Sequence, residues 1–282
     1  MNLHVIHSGN FKLDGGAMFG VIPKVIWNSL NPADEKNLCN WAMRCLLVED
    51  GDRRILIDTG IGAKQSEKFF GYYYLNGNFS IASSLKNVGF LHTDITDVLL
   101  THLHFDHVGG AVSMKADGTL IPAFPNAKYH VTETQWKHAL SPNAREKASF
   151  LQENFLPLQE AGVLNFVNHG DQLTSNFRIR SVNGHTMGMI TPEISYNGKK
   201  IIYCADLIPS SAHVPVHYTM GYDIEPLVVM QEKKKLYEDM DSANTLYFFE
   251  HDLETECARL EQNERGQMVV AERGNLSDLL AR

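Results

Sequence analysis

Four side chains able to bind a metal fall within six residues of the stretch Thr101-His102-Leu103-His104-Phe105-Asp106-His107-Val108-Gly109-Gly110. The apolar run Asp97-Val98-Leu99-Leu100 before it reads as the end of a buried strand. A chain leaving a strand there can turn His102 and His104 to one side while Asp106 and His107 swing to the other. That suits two neighbouring metal ions better than one. Gly109 and Gly110 allow a tight backbone return just afterwards. In a chain with 13 histidines an isolated His-x-His would mean little. The full His-x-His-x-Asp-His directly after a strand is much harder to obtain by chance. Neutral imidazoles and carboxylates suit zinc, and also manganese, iron or cobalt.

Other strands must bring further residues to such a centre. Phe177–Val182 alternates like a strand and runs into Asn183-Gly184-His185-Thr186. Ile190–Tyr196 and Lys199–Cys204, joined by Asn197-Gly198, form a strong hairpin signal that ends at Asp206. A carboxylate at the end of a buried strand needs a partner, and two metal ions would supply one. Thr245–Phe249 reads as a buried strand leading to Glu250-His251-Asp252.

Nearer the start, residues 3–7 and 41–57 read as strands, the latter a hairpin turning at Glu49-Asp50-Gly51-Asp52 and ending in Asp58-Thr59-Gly60. Residues 13–23 form a glycine-rich loop without the Lys-Ser/Thr ending of a phosphate loop. With Trp27, its Met18 and Phe19 could form an apolar lip over a pocket. Lys128–Val131 reads as a strand, and Thr132-Glu133-Thr134-Gln135 resembles a capping box opening a helix. A second helical stretch is expected near 144–161, stopping at Gly162.

Composition narrows the function classes. The 282 residues are 44% hydrophobic and 21% charged, an ordinary soluble globular balance. No apolar run approaches the roughly 18 residues that span a bilayer, and the start lacks a signal-peptide pattern. Cys39, Cys45, Cys204 and Cys257 are scattered, so reduced buried thiols and a cytoplasmic setting are expected. A net charge of −8 disfavours a nucleic-acid partner. No repeat or linker is evident, so residues 1–282 read as one domain.

The 101–110 stretch resembles the signature of the metallo-β-lactamase superfamily. The resemblance implies an α/β fold, a four-layer αββα sandwich of two mixed sheets flanked by helices. It implies that His102, His104 and His185 hold a first metal, that Asp106, His107 and His251 hold a second, and that Asp206 bridges them. Asp58 would brace the metal loop, or simply form a turn. Two such ions share a water whose pKa a metal can bring to about 7, giving a hydroxide nucleophile, and Asp106 or Asp206 could pass a proton to the leaving group.

Within the superfamily, Gly15–Pro23, Asp206–His213 and Met220–Pro226 look like the N-acyl-homoserine lactone hydrolases. That branch implies ring opening of a small lactone or ester, two divalent ions (zinc first), a homodimer, and no nucleic-acid or membrane partner. The pocket would involve Met18, Phe19, Trp27, His213 and Tyr222. Such lactonases place a tyrosine three residues after the bridging aspartate, where this chain has Pro209; Tyr222 or His213 could take its part. Organophosphate hydrolases share the ligands and loops. A di-iron redox protein, usually with glutamate in place of His104, and a non-catalytic binding protein are the remaining alternatives.

Overall fold

The computed structural model describes residues 1–238 and 241–282. Asn2–Asp14, Leu38–Asp50, Arg53–Ile57, Asp97–Leu99, Lys128–Thr132 and Leu164–Val167 lie side by side, in that order, as a six-stranded sheet. Its first two pairings are antiparallel and the next three parallel. A seven-stranded sheet runs in the order Met268–Gly274, Cys257–Gln262, Thr245–Phe248, Lys199–Tyr203, Glu193–Tyr196, Phe177–Arg178, Gln172–Thr174. In it, Lys199–Tyr203 runs parallel to Thr245–Phe248. Both sheets are therefore mixed.

Side chains alternate across a strand, so a strand that is apolar throughout serves two cores. Leu46, Val48, Ile55, Ile57 and Leu99 join one core with Ile194, Ile201, Tyr203, Leu246 and Phe248 of the second sheet. Their neighbours Cys45, Leu47, Leu56 and Val98 join another with Leu85, Trp136 and Leu158. Those three come from helices Ile81–Asn87, Glu133–Leu140 and Leu156–Glu160. Helices Pro226–Glu238 and Leu276–Ala281 add Val229, Leu236, Leu276 and Leu279 to the second sheet's core. The result is the expected helix–sheet–sheet–helix layering. Each fully buried Leu or Ile contributes about 1.5–3 kcal/mol.

Several local expectations need correction. The glycine-rich loop holds a short helix, Gly15–Phe19, because the Asp14 side chain accepts from Ala17 N at 2.8 Å and caps it. The helix expected over 144–161 is confined to Leu156–Glu160 after one 3-10 turn at Gln152–Asn154. Upstream, the Asn143 side chain accepts from Arg145 N and Glu146 N, which competes with helix formation. Phe177–Val182 splits, its second half pairing with Met189–Ile190 in a separate ribbon. Thr132 does cap its helix, accepting from Gln135 N at 3.0 Å. Gln135, however, turns its amide to Met187 O at 2.8 Å rather than back to the cap.

A buried polar knot lies at the start of strand Asp97–Leu99. Asp97 bonds His130 Nε2 and the Thr96 hydroxyl, each at 2.7 Å, and pairs with Arg53. Burial alone would raise its carboxyl, but His130, Arg53 and Thr96 outweigh that and hold it well below the usual carboxylate range. A depressed folded pKa stabilises the fold above the unfolded value of about 3.9, and that contribution is lost as pH falls through the folded value. Asp97→Asn should therefore lower unfolding stability by about 3 kcal/mol at neutral pH. In urea unfolding, the gap from the native chain should narrow as pH drops below about 4.

Candidate metal centre

Strand ends converge at one edge of the sandwich. The chain leaves Asp97–Leu99 through His102 and His104, and the turn Phe105–Val108 then carries Asp106 and His107. The return is as tight as expected: a Cβ on Gly109 would lie 2.1 Å from Ile61 O, and one on Gly110 2.2 Å from Thr59 O. His185 follows the Ser181–Val182 strand, Asp206 follows Lys199–Tyr203, and His251 follows Thr245–Phe248.

The seven expected ligands form two groups. Ligand atoms of His102, His104, His185 and Asp206 lie within 4.8 Å of one another, as do those of Asp106, His107 and His251. Asp206 divides its oxygens between them. Its Oδ2 is 3.1 Å from His185 Nε2 and 3.9 Å from His102 Nε2. Its Oδ1 is 3.1 Å from His251 Nε2 and 3.6 Å from His107 Nε2. Asp106 Oδ2 stands 3.7 Å from His251 Nε2 and 3.8 Å from His107 Nε2.

These atoms fit divalent cations better than they fit each other. His102 Nε2 and Asp206 Oδ1 are buried without a hydrogen-bond partner among the described residues, an arrangement that is costly unless a cation faces them. His185 Nε2 lies 3.2 Å from His104 Nδ1, and His251 Nε2 3.2 Å from His107 Nε2. Two imidazole nitrogens that close must share a proton or a metal. Burial, reinforced by the neighbouring imidazoles His107 and His104, keeps His102 neutral. Burial would raise Asp206, but His107, His251 and His185 hold it well below the ordinary range. A neutral imidazole beside an ionised carboxylate is the form that ligates metal.

The outer nitrogen of each imidazole has its own partner, which fixes the ring. His102 Nδ1 meets the Thr101 hydroxyl at 3.0 Å, and His251 Nδ1 donates to Ala42 O at 2.7 Å. His107 Nδ1 meets Asp58 Oδ2 at 3.1 Å. Asp58 also accepts from Thr101 N and Oγ1, at 2.7 and 2.6 Å. It does so from a left-handed backbone, φ 58°, which a non-glycine residue rarely adopts. Asp58 thus ties the strand end to His107 and is more than a turn former.

Three further carboxylates here went unassigned from the sequence. Asp223 Oδ1 lies 2.9 Å from His185 Nδ1, and Glu146 Oε1 lies 3.3 Å from His104 Nε2. Glu232 accepts from Asn183 N and Gly184 N, at 2.6 and 3.0 Å, which pins the loop of His185. Asp223 sat in the motif Met220–Pro226 and could have been suspected. Glu146 and Glu232 carried no local signal, since only the fold brings them near a histidine loop.

The ligand groups open into a cavity of about 390 Å³. Leu13, Met18, Phe105 and Met220 give it apolar wall, while Tyr73, Tyr222, Arg145 and Glu146 add polar groups. A larger cavity, about 540 Å³, shares none of these residues and contains none of the seven ligands. Of the expected pocket residues, Met18 and Tyr222 reach the cavity, whereas Phe19, Trp27 and His213 do not. Phe19 stacks between His213 and Trp27, with centroids at 4.7 and 5.2 Å, and all three are buried. His213 bonds Met18 O at 2.8 Å and the Ser210 hydroxyl at 2.7 Å, so it supports the wall from behind. Cys204 is buried in the inter-sheet core, because the backbone turns there instead of running straight to Asp206.

Comparison with known proteins gives a consistent picture. The metallo-β-lactamase superfamily model matches residues 44–270. An N-acyl homoserine lactonase of Bacillus thuringiensis is 27% identical over 268 residues, covering 90% of this chain and 94% of the relative. The crystal structure of a probable metal-dependent hydrolase from Staphylococcus aureus is 26% identical with a TM-score of 0.86, covering 96% of this chain and 97% of that one. AidC, a dizinc quorum-quenching lactonase, shares the fold at a TM-score of 0.77 and 21% identity, covering 97% of this chain and 95% of its own.

If Asp223 orients His185, Asp223→Asn should weaken metal binding about 10–100-fold. Competition with a chromogenic chelator measures this, and the fold should remain intact by circular dichroism.

Proposed function

The chain belongs to the metallo-β-lactamase superfamily and is a metal-dependent hydrolase, and on that premise we propose that it opens lactone rings of the N-acyl-homoserine type. The observation carrying this reading is Asp206, with one oxygen turned to each imidazole group at the base of an apolar-walled cavity. His102, His104 and His185 would hold one divalent ion and Asp106, His107 and His251 the other, with Asp206 across both. Two such ions, zinc in the first instance, supply Lewis acidity and an acidified water at neutral pH.

The chain's own residues do the rest. Leu13, Met18, Phe105 and Met220 receive an acyl chain and exclude water. Water adds to the ring carbonyl and gives a proton to the Asp106 or Asp206 carboxylate. As the ring C–O bond then breaks, that carboxyl returns the proton to the leaving oxygen, and the hydroxy acid formed releases its own proton to solvent. Pro209 can donate no hydrogen bond, and His213 is committed to Met18 O and Ser210. Tyr222, like Tyr73, lines the cavity and offers a phenol to the substrate. Burial, with Asp106 next, pushes its hydroxyl up, so it stays a neutral donor. The reading includes pairing as a homodimer. The exposed Val21, Val25 and Leu30, at 87, 90 and 50%, offer apolar surface for it.

Proton release from a long-chain acyl-homoserine lactone, with metal-replete protein and a chelated control, tests the reaction. Turnover should vanish with chelator and fall more than about 100-fold in both His104→Ala and Asp206→Asn, beyond the loss typical for outer partners alone. Full turnover by both variants would refute the assignment. Silence on lactones with two metals bound per chain would move the substrate to phosphotriesters or other esters.

A further inference from the structure

Glu250 immediately precedes His251 and is fully buried. Among the described residues, neither of its side-chain oxygens has a hydrogen-bond partner. Oε2 lies 3.1 Å from His107 Nδ1, the same nitrogen that Asp58 contacts at 3.1 Å. One N–H can serve one acceptor well, and the hydrogen bond goes to Asp58. Glu250 is left facing that imidazole by charge alone.

Groups that could neutralise it otherwise are committed elsewhere. The Arg44 guanidinium is buried too, but it donates to Phe249 O, Thr255 O and Leu253 O. The Tyr203 hydroxyl donates to Arg44 O at 2.9 Å. A buried carboxylate without donors is expensive unless positive charge stands near it. The remaining route to positive charge runs through the His107 ring, whose Nε2 faces the second ligand group. In a low-dielectric interior that influence carries across one imidazole.

We propose that Glu250 is a positioning residue of the second metal subsite, acting through His107 to strengthen the ion held by Asp106, His107 and His251. This rests on the dinuclear reading above. Asp58 orients the ring by its hydrogen bond, and Glu250 adds charge on the same nitrogen. In the first group, His102, His104, His185 and Asp206, the outer nitrogen of His102 meets the Thr101 hydroxyl and, among the described residues, no carboxylate. The effect should therefore fall on one ion of the two.

The test is stepwise metal titration of the full chain with zinc and with cobalt against a competing chelator. In Glu250→Gln the second ion should bind about 10–100-fold more weakly, with first-ion affinity little changed. Glu250→Asp should recover most of the loss, and the cobalt absorption of the second step should shift in the Gln variant. A merely structural role would instead lower the melting temperature of the chelated protein. Removing an unpaired buried charge should leave that temperature equal or higher. Glu250→Gln binding both ions like the native chain would overturn the inference while leaving the dinuclear site intact. Native protein binding fewer than two ions would remove the premise and the inference together. Should the variant fail to fold, the metal-loaded native structure decides: a Glu250 carboxylate beside His107 Nδ1 supports the role, and one turned beyond about 6 Å excludes it.

Discussion

A single buried carboxylate, Asp206, has to satisfy two clusters of imidazoles at once. Removing an ion from water costs several kcal/mol even after relaxation, and here five imidazoles and two aspartates are withdrawn together. Such a cluster tolerates little displacement. The sandwich meets that demand by ending strands at one edge, so His102, His185, Asp206 and His251 each sit three residues beyond a strand, and His104, Asp106 and His107 follow on the loop and turn after His102. Chain segments are then cross-tied: Ala42 N donates to His251 O, His251 N to Pro209 O, and Thr59 N to His107 O.

Buried cations serve the same purpose by donating to backbone carbonyls. Arg44 spends its guanidinium on carbonyls of the loop around His251. Lys233, buried on helix Pro226–Glu238, donates to His213 O at 2.7 Å and Tyr218 O at 2.6 Å. Burial brings its ammonium down to about 8. Both clamp loops whose positions decide where a ligand or a pocket wall stands, which makes them structural supports of the centre rather than participants in its chemistry.

The cavity wall has a comparable division of labour. Met18 meets the cavity, while His213, Phe19 and Trp27 form the stacked column behind it. Residues that look equivalent in a glycine-rich, apolar stretch therefore differ in role. A helical turn capped by Asp14 points Met18 one way and Phe19 the other. Tyr73 and Arg145 come to the same cavity from segments that carried no chemical pattern.

By itself the sequence determined a metal-binding pattern and, through the family resemblance it carries, the layered fold. Metal-binding side chains at fixed local spacing, the strand that precedes them and the Asn197-Gly198 turn are short-range features, readable because local backbone preference and periodicity set them. Strands apolar on both faces likewise announce a sheet covered on both sides. Tertiary structure alone decided the partners of the outer nitrogens. Asp223, Glu146 and Glu250 reach His185, His104 and His107 across 38, 42 and 143 residues of chain, and local pattern holds no trace of such separations. It also decided that His213 and Trp27 are supports and that residues 144–151 are irregular, because an Asx turn and the contact of Glu146 with His104 outcompete helix propensity there.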